Sequence, residues 1–524
     1  MKRYLRPALM LSVVGGVLSA HEAHGQRGAI GNWAGSGNDA AHSGWQKGET
    51  ILTRDDVPTQ FKFLWKIKLG SQTKEAATFS EPLLAPRLIN GQGFKDFVYW
   101  GSTDTLYAVD SELGVLLWQK HFDSQTKVSG KCGQSSLGIA IEPPQVINFG
   151  ARRAPGAALP TPPPPPTSGP RRLGGPARGG GFAFRGIYVL RADGYLSEQV
   201  LTTGADYGPP VKFLPEAKGG LHGLSMAGKT VYTVTDHGCG AARNALWSIE
   251  VGSGSYPIAS YDSKTVAPLD WMGPTVAGGV AYLVTGKGAS DDAAGVHANS
   301  VVALTADDMK VKDWYTPSVE KHAALPNITP VAFNYKDKKL VAAAGTNGSF
   351  VLLDSASLGG SDHHTPLVQT AAIAKRLKDL TGGLASWQGT DGTVWVLAPI
   401  AGPLDAGATA GAANGVASHG SIVAFKVEEK DGKTAMTPAW VSGDLVHPAP
   451  PVVANGLVIA LAQGDAKTHA TLHVLDALTG KELYTSGEAI NGYAHLAGVA
   501  VGDGHAFFTT HDGTLYSFGI GMEH

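Results

Sequence analysis

The stretch Leu106-Tyr-Ala-Val-Asp110-Ser-Glu-Leu-Gly114-Val-Leu-Leu-Trp118 contains the pattern that decides the fold of this chain. A short apolar strand ends at Asp110, whose side chain can cap a tight turn, and Gly114 can take the positive φ that the turn requires. Trp118 follows in the next strand, where its ring can pack against a neighbouring unit. The stretch therefore predicts two strands joined by a turn, and a Trp118 side chain that contacts a neighbouring unit.

The strand that ends at Asp110 is one of eight similar strands along the sequence. They start at Leu106, Tyr195, Leu246, Val301, Phe350, Ile422, Leu472 and Leu515. Most successive starts are about 43 to 55 residues apart, and another short strand precedes each of them. Turn signals such as Asp193-Gly194 and Asp512-Gly513 separate the two strands and favour hairpins. Three or four short strands with a period of about 40 to 50 residues are typical of a β-propeller blade.

The eight repeats predict an all-β fold, an eight-bladed β-propeller with four-stranded antiparallel blades. The eighth repeat ends at Gly519, before an outermost strand. The alternating segment 61–69 near the N-terminus is expected to supply that strand and so to remove a free sheet edge. A single propeller domain is expected to span residues 26–524.

The composition agrees with this prediction and excludes other classes of protein. The 524 residues include 69 Gly and 31 Pro, and 16% are charged, where about 25% is usual. A coiled coil is rich in charged helix formers, and a disordered chain combines high charge with few apolar residues. The formal net charge of −2 gives no electrostatic footprint for nucleic acid.

The first residues have the layout of a secretory signal peptide, predicted over residues 1–25. Lys2, Arg3 and Arg6 precede an apolar run from Ala8 to Ala20, and small residues lead to a cleavage site near Gln26. The run is too short to span a bilayer, so no membrane span is expected. The mature protein is expected to be secreted or periplasmic, and the alternative is a retained interfacial anchor.

The sequence has two cysteines, Cys132 and Cys239. In an oxidising compartment an isolated pair favours a disulfide, which would join distant parts of the fold. The alternative is two buried, inert thiols. Without a Cys-x-x-Cys-His motif, the sequence predicts no covalently attached haem.

Three stretches resemble the tryptophan-docking repeat of pyrroloquinoline quinone (PQQ) propellers, whose consensus runs A-x-D-x-x-T-G-x-x-x-W. The stretch from Ala108 to Trp118 matches it through Asp110, Gly114 and Trp118. The stretch from Val474 to Tyr484 matches through Asp476 and Gly480, with Tyr484 in the Trp position, and Phe350 to Gly360 is a weaker copy that keeps Asp354. In that family the motif has an architectural role, so the resemblance supports the fold more firmly than an activity.

Shorter features resemble one group of exported bacterial PQQ-repeat propellers. They are the stretch from Asn32-Trp33 through Trp65, the stretch from Leu358 to His363, and the stretch from Pro438 to Ser442. Within that group the positions of the two cysteines look like a pair. We expect the compartment and the fold, rather than a particular reaction, to be shared.

The same resemblance implies an enzyme as one possibility. PQQ-dependent dehydrogenases hold the quinone over the central channel, between a vicinal Cys-Cys disulfide and a Trp, with a Ca²⁺ and an Asp as general base. The two cysteines here are not adjacent, so that element is absent. Trp271 and Trp387 are candidates for the stacking Trp, although blade packing is the alternative role for each. Candidate acids for the Ca²⁺ or base role are Asp236, Asp291, Asp292 and Asp465.

Histidines form a second set of candidates on the same predicted face, which carries the loops between second and third strands. They are His222, His237, His297, His322, His447, His495 and His511. His222, His237 and His495 are retained as candidates for cofactor contact. Ordinary loop histidines are the alternative, and no metal site is predicted, because none of the spacings matches a known metal motif.

Two insertions interrupt the repeats. Residues 151–181 contain five arginines, a run of prolines and no acid, and are expected to form an extended, solvated, basic loop. The loop could recruit an acidic surface or have no role. The Gly/Ala-rich residues 401–420 are expected to be flexible and could lie over the ligand face as a lid.

Two functions remain open from the sequence. In the first, a monomeric exported propeller binds a small-molecule ligand or an envelope protein partner through its loop face, as outer-membrane assembly scaffolds of this fold do, with no cofactor. In the second, a PQQ-dependent dehydrogenase with Ca²⁺ oxidises an alcohol or sugar and passes electrons to a separate acceptor. The first is favoured, since no general base can be identified.

Overall fold

The computed structural model of the chain describes residues 31–69, 79–90, 93–123, 136–143, 186–215, 221–235, 243–265, 272–317, 325–326, 328–494 and 498–521. In these residues, eight antiparallel sheets of four principal strands form the blades of a propeller, and helix is almost absent. The predicted all-β, eight-bladed architecture is confirmed. Each blade is named here by its order along the chain, and its strands are counted from the axis outward.

The strands of the first four blades have the following bounds: Leu83–Asn90, Gly93–Gly101, Thr105–Asp110 and Leu116–His121 in blade 1; Gly138–Ile141, Gly186–Leu190, Tyr195–Val200 and Val211–Lys212 in blade 2; Leu221–Ala227, Thr230–Thr235, Ala245–Glu250 and Ile258–Asp262 in blade 3; Thr275–Ala277, Val280–Val284, Val301–Thr305 and Val311–Tyr315 in blade 4.

The strands of the last four blades are Val331–Tyr335, Lys338–Ala344, Phe350–Asp354 and Val368–Gln369 in blade 5; Ala385–Gln388, Val394–Ile400, Ser421–Lys430 and Lys433–Val441 in blade 6; Val452–Ala454, Leu457–Ala462, Thr471–Asp476 and Glu482–Thr485 in blade 7; Ala500–Gly502, His505–Thr509, Thr514–Ile520 and Phe61–Lys68 in blade 8.

The ring is closed by a strand from the N-terminal part of the chain, as predicted. Phe61–Lys68 pairs antiparallel with Thr514–Ile520 and completes blade 8. The short α-helix Val57–Gln60 leads directly into it, with a proline in its first turn, where proline is tolerated because no intrahelical donor is lost. The last blade is therefore held by hydrogen bonds between residues that are far apart in the sequence.

Four short strands, one of them Ala412–Ala413 of the insertion 401–420, and five 3₁₀ turns lie outside this plan. Trp45–Gln46 adds a parallel strand to the inner edge of blade 7, and Ile328–Thr329 pairs with Gly382–Gly383. The 3₁₀ turns are Asp292–Ala294, Gly360–Asp362, Leu377–Asp379, Ala406–Ala410 and Gly487–Ala489.

The insertion 401–420 does not extend over the axis as a lid. Its strand Ala412–Ala413 pairs in parallel with Trp440 and Val441 of the fourth strand of blade 6. Asn414 Nδ2 also donates to the carbonyls of Val441 and Thr479, at 3.0 and 2.8 Å. The insertion thus folds back along the outer edge of its own blade, because backbone pairing is available there.

The propeller has two faces. The connection face carries the loops between second and third strands and the connections from one blade to the next. The hairpin face carries the loops between first and second strands and the turns between third and fourth strands. The insertion 151–181 lies outside the described residues, and the residues before and after it, Pro143 and Gly186, belong to the hairpin face.

Tryptophans of the outer strands dock on the turn that follows the third strand of the next blade. Trp118 Nε1 donates to Leu201 O at 3.0 Å, Trp65 Nε1 donates to Ser111 O at 2.9 Å, and Trp440 Nε1 donates to Ala477 O at 3.0 Å. In each case the ring also lies over the glycine three residues after the residue that accepts the hydrogen bond. These glycines have a positive φ and are Gly204, Gly114 and Gly480.

The turns themselves are held by their aspartates. Asp110 accepts from the N–H groups of Glu112 and Leu113, and Asp476 accepts from those of Leu478 and Thr479. Asp354 accepts from Ala356 N in the weaker copy, at 3.0 Å. The ring of Tyr484, in the Trp position of its repeat, packs edge-on against Phe61 of blade 8, with centroids 4.9 Å apart.

The apolar core consists of the faces of the blades stacked on one another, with large buried clusters between successive blades. In the described part of the chain, no helix is both long and apolar enough to cross a membrane.

Candidate functional site

The axis of the propeller is occupied by the chain itself. Residues 33–46, here called the axial segment, run around the inner strands and form hydrogen bonds with blades 1, 2, 4, 5, 6, 7 and 8. These bonds are Leu84 N to Trp33 O, Ile141 N to Ala34 O, Val276 N to Ala40 O, Ala332 N to Ala41 O, Ser386 N to Ser43 O, Val453 N to Gly44 O and Gln46 Nε2 to Val501 O, at 2.5–3.2 Å. The inner strands therefore find partners for their inward-facing backbone groups.

Small residues allow this path. The axial segment is rich in Gly, Ala and Ser, and a Cβ at Gly44 would lie 2.8 Å from Ala385 Cβ and 2.9 Å from Pro451 O. Asp39 fixes the bend by accepting from Ala41 N, Ser43 N and Ser43 Oγ, at 3.1, 3.0 and 2.7 Å. Sequence reasoning noted Asn32-Trp33 but missed this role, because short, small side chains carry no strand or helix periodicity.

The axial segment also buries a histidine. His42 is fully buried, with Nδ1 2.9 Å from Ser36 O and Nε2 3.1 Å from Pro274 O. Burial lowers the pKa of His42 below its ordinary value because the charged form loses its hydration. The ring ties the segment to the connection between blades 3 and 4.

Glu81 lies against the axial segment at the connection-face end of the axis. Its Oε1 accepts from Trp33 Nε1 at 2.7 Å and from Gly37 N at 3.3 Å. Burial raises the pKa of Glu81 to about 7, against the action of these hydrogen bonds. The carboxyl borders a cavity of about 10 Å³, lined also by Met272, Pro450 and Gly498, which is room for about one water molecule.

This raised pKa predicts a pH dependence of stability. Between the ordinary pKa of 4.5 and about 7, the folded protein keeps a proton that the unfolded chain has lost, so stability falls as pH rises through this window. The loss amounts to at most about 3 kcal/mol. Glu81→Gln is expected to remove it, which can be measured as the free energy of unfolding in urea at pH 5 and pH 8.

The control for that measurement is the exposed Glu428→Gln, which is expected to retain the wild-type pH dependence. Asp96, whose pKa burial and Asp503 raise to about 7, contributes equally to both variants. The prediction is wrong if Glu81→Gln and wild-type protein lose the same stability between the two pH values.

A larger cleft lies toward the hairpin face. Its volume is about 220 Å³, and its walls are the axial segment with the ends of the first strands of blades 2 and 3. The residues that line it are Asn32, Ala34, Gly35, Ser36, Asn38, Asp39, Ala40, Trp45, Gln46, Lys47, Gly48, Ile141, Pro143, Ser225 and Met226. The cleft is polar on the side of the axial segment and apolar at Ile141 and Met226.

Two buried polar groups in the cleft wall are not satisfied. Asn32 Nδ2 and Ser225 Oγ make no hydrogen bond to any described residue, and such groups normally find a partner when buried. Trp45 offers part of its ring, with Lys47 Nζ 4.7 Å from the ring centroid. The wall of the cleft thus combines a few buried polar groups with part of an aromatic surface, which is typical of a binding site.

The cleft has no arrangement for catalysis among its lining residues. Asp39 is its sole acid, and both carboxylate oxygens are engaged by Ala41 and Ser43. The lining contains neither His nor Cys, and the Nζ of its Lys47 lies over the ring of Trp45, so no acid and base are paired there for general acid–base chemistry.

The candidate residues of the loop between the second and third strands of blade 4 lie at the rim, where they serve packing and turn formation. Asp291 accepts from Ala294 N at 3.1 Å, and Asp292 lies 3.3 Å from His297 Nδ1. His297 stacks on one face of Trp314, and His363 stacks on the other. The ring centroids are 3.8 and 3.7 Å from that of Trp314. Burial lowers the pKa of His297.

The other described candidates do not converge with these. Trp387 lies in the core shared by blades 6 and 7 and stacks on Trp395, with centroids 6.0 Å apart. His511 stacks on Tyr493 at 3.8 Å. Asp465 accepts from Lys467 N and Thr468 N, and these hydrogen bonds, with His447 nearby, lower its pKa. The structure therefore does not bring these residues into one site.

Several predicted residues lie outside the described part of the chain. They are the signal peptide 1–25, Cys132, Asp236, His237, Cys239, Trp271, His322 and His495. The backbone of His222 belongs to the first strand of blade 3, and its side chain is not among those described. The disulfide and the roles given to these residues stay predictions.

No protein-family model and no curated protein matches this sequence, but solved structures match its fold. The quinohemoprotein alcohol dehydrogenase of Comamonas testosteroni is 14% identical, with a TM-score of 0.54, over 94% of this chain and 81% of that chain. A quinohemoprotein alcohol dehydrogenase of Pseudomonas putida HK5 is 13% identical, with a TM-score of 0.57 and the same coverage. A europium-containing methanol dehydrogenase is 13% identical, with a TM-score of 0.52, over 93% and 98%. The chain is therefore similar to quinoprotein dehydrogenases in its propeller fold, and identities this low show the fold alone.

Proposed function

We propose that this protein is an exported propeller that binds a ligand or a partner protein and carries out no chemistry of its own. The observation that carries the proposal is the axial segment. It occupies the axis with backbone hydrogen bonds to the blades around it, in the region where the resembling dehydrogenases hold their quinone. Because the axial segment lies in this space, a cofactor does not bind at the same position.

The cleft beside the axial segment supports a binding role and narrows its occupant. Its volume of about 220 Å³ is below the 300–1,000 Å³ or so of pockets for drug-sized ligands. It suits a side chain of a partner protein or a small polar molecule. The exposed part of Trp45, with the apolar Ile141 and Met226, would contact a flat or apolar group, and the polar residues of the axial segment would contact a polar one.

The alternative is a PQQ-dependent alcohol or sugar dehydrogenase with Ca²⁺. The described residues do not fit the quinone. At the connection-face end of the axis the cavity of about 10 Å³ holds no planar ring system, and Glu81 is the charged residue in its lining. This mismatch favours the binding platform.

Export is part of the proposal. It rests on the positively charged start, the apolar run and the small residues before Gln26. The similarity of Asn32-Trp33 and of the two cysteine positions to exported bacterial PQQ-repeat propellers supports the same compartment. In that compartment an envelope protein is the natural class of partner.

A mixing experiment separates the two functions. Purified protein is titrated with PQQ and Ca²⁺ to tens of micromolar while quinone absorbance and dye-linked oxidation of alcohols and sugars are followed. We expect neither stoichiometric binding nor turnover, because the axial segment is hydrogen bonded to the inner strands around the axis. A quinoprotein dehydrogenase reconstituted in the same buffer is the positive control. One bound PQQ per chain with turnover would overturn the proposal.

A further inference from the structure

The structure brings three carboxylates together at the seam where the last blade meets the first. Asp96 lies in the second strand of blade 1, Glu112 in the turn after its third strand, and Asp503 in the hairpin between the first two strands of blade 8. One carboxylate oxygen of each lies within 4.8 Å of the others. All three side chains are half-buried, so solvent screens their mutual repulsion only in part.

Backbone hydrogen bonds fix the position of Asp96. Arg87 N donates to Asp96 Oδ1, from a bulge in the first strand of blade 1 where Arg87 itself has a φ of +55°. Ser111 N donates to Asp96 O at 2.9 Å. Lys95 is beside the cluster in sequence, but it pairs with Asp110 at 2.7 Å. Its charge is therefore directed to the turn rather than to the three acids.

A buried histidine faces the cluster and gives a second, independent indication of a ligand. His505 is 1% exposed, and its Nδ1 lies 2.8 Å from Asp503 O. Its Nε2 makes no hydrogen bond to any described residue and lies 3.7 Å from Glu112 Oε2. A buried ring nitrogen without a partner is costly, and here it faces the cluster of carboxylates.

We propose that Asp96, Glu112 and Asp503 bind a divalent cation, and that His505 orients Glu112 through its Nε2. The spread of 4.8 Å or less between the oxygens matches ligands placed around one ion, since metal–oxygen distances are about 2.0–2.6 Å. Three carboxylates favour a hard cation such as Ca²⁺ or Mn²⁺. Carboxylates that bind a metal commonly contact a further polar side chain, which orients them.

The bound ion would join the two ends of the ring. Asp503 belongs to blade 8, while Asp96 and Glu112 belong to blade 1, and the ion would add to the hydrogen bond from Trp65 Nε1 to Ser111 O that already joins these two blades. The ion would also replace the repulsion between three half-buried carboxylates, whose oxygens lie within 4.8 Å of one another, by attraction to a shared positive charge. A cation that binds the closed ring alone stabilises it by mass action.

The test uses the full-length mature protein after treatment with a chelator. Isothermal titration with CaCl₂ and counting of free Mn²⁺ by electron paramagnetic resonance are each expected to show one ion per chain. The affinity for Ca²⁺ is expected in the range of about 10⁻⁵ to 10⁻³ M. Bound Ca²⁺ is expected to raise Tm by several degrees, and Mg²⁺ to bind more weakly, because it requires a more regular octahedron.

Variants tie the binding to the cluster. Glu112→Gln and Asp503→Asn are each expected to weaken Ca²⁺ binding by more than about tenfold, and His505→Gln by about 10–100-fold. Asp465→Asn, an acid in a loop of blade 7, is the matched control and is expected to bind as wild type. Near-ultraviolet circular dichroism checks the fold of each variant, and Glu112→Gln serves if Asp503→Asn does not fold. Absence of binding at ten millimolar Ca²⁺ and Mn²⁺, or equal affinity in wild type and Glu112→Gln, would overturn the proposal.

Discussion

Replacement of Trp33 by Ala is expected to lower the free energy of unfolding by about 3–5 kcal/mol. Trp33 is fully buried and belongs to the core cluster of blades 1, 7 and 8. Its backbone pairs with Leu84, and its Nε1 is a donor to the half-buried Glu81. The substitution therefore removes a large ring from the core, leaves a cavity and takes a partner from Glu81. Urea unfolding followed by circular dichroism at pH 7 measures the loss.

Two further variants separate these contributions. Trp33→Phe keeps most of the ring and removes the N–H, so it is expected to cost about 1–3 kcal/mol. Trp45→Ala removes a ring from the same segment at the half-buried wall of the cleft, and it is expected to cost less than Trp33→Ala. If the free energy of unfolding of Trp33→Ala is within about 1 kcal/mol of the wild-type value, the axial segment does not stabilise the propeller.

Gly480→Ala is expected to destabilise the protein by about 2–5 kcal/mol. Gly480 has a φ of +71°, and a Cβ there would lie 2.4 Å from Trp440 Cε3. Trp440 cannot easily move, because it is buried and its Nε1 donates to Ala477 O. The methyl group must therefore displace the ring or the turn. Urea unfolding measures the cost, and tryptophan fluorescence reports the displacement of the ring.

The matched control is Gly456→Ala in the same blade. Gly456 has a φ of +76°, and no atom lies within 4 Å of its added Cβ. This variant is expected to cost only the positive-φ strain of about 1–2 kcal/mol. The difference between the two variants measures the steric role of docking. Equal losses would show that the approach of Trp440 to Gly480 is not required for stability.

The sequence predicts the blades well because their signals are local. The strand pattern at Leu106–Asp110 and its repeats require only neighbouring residues, and the alternating sequence of residues 61–69 predicts a strand. The structure has this strand as Phe61–Lys68, with a bulge between Phe63 and Trp65 that interrupts the alternation of buried and exposed side chains. The docking of Trp118 could be predicted from its motif. Its target, the turn from Leu201 to Gly204, could not, because this turn lacks the aspartate of the consensus.

The axial segment and the seam could not be predicted from the sequence. The hydrogen bond between Gln46 and Val501 joins residues 455 positions apart, and no local pattern encodes such a partner. Asp96, Glu112 and Asp503 likewise have no common motif, and they meet only because the ring closes. Burial also raises the pKa of Asp96, as it raises that of Glu81, and burial is a property of the fold rather than of the residues.

The path of the axial segment has a consequence for the order of folding. The segment precedes every blade in the chain, yet it is hydrogen bonded to strands from Leu84 in blade 1 to Val501 in blade 8. During synthesis it is made first, and it can reach its final position only after the last blade exists. Contacts over such distances in sequence are slow to form. We therefore expect folding to end with one concerted late step, in which the ring closes and the segment docks, and an intermediate before it that binds chaperones.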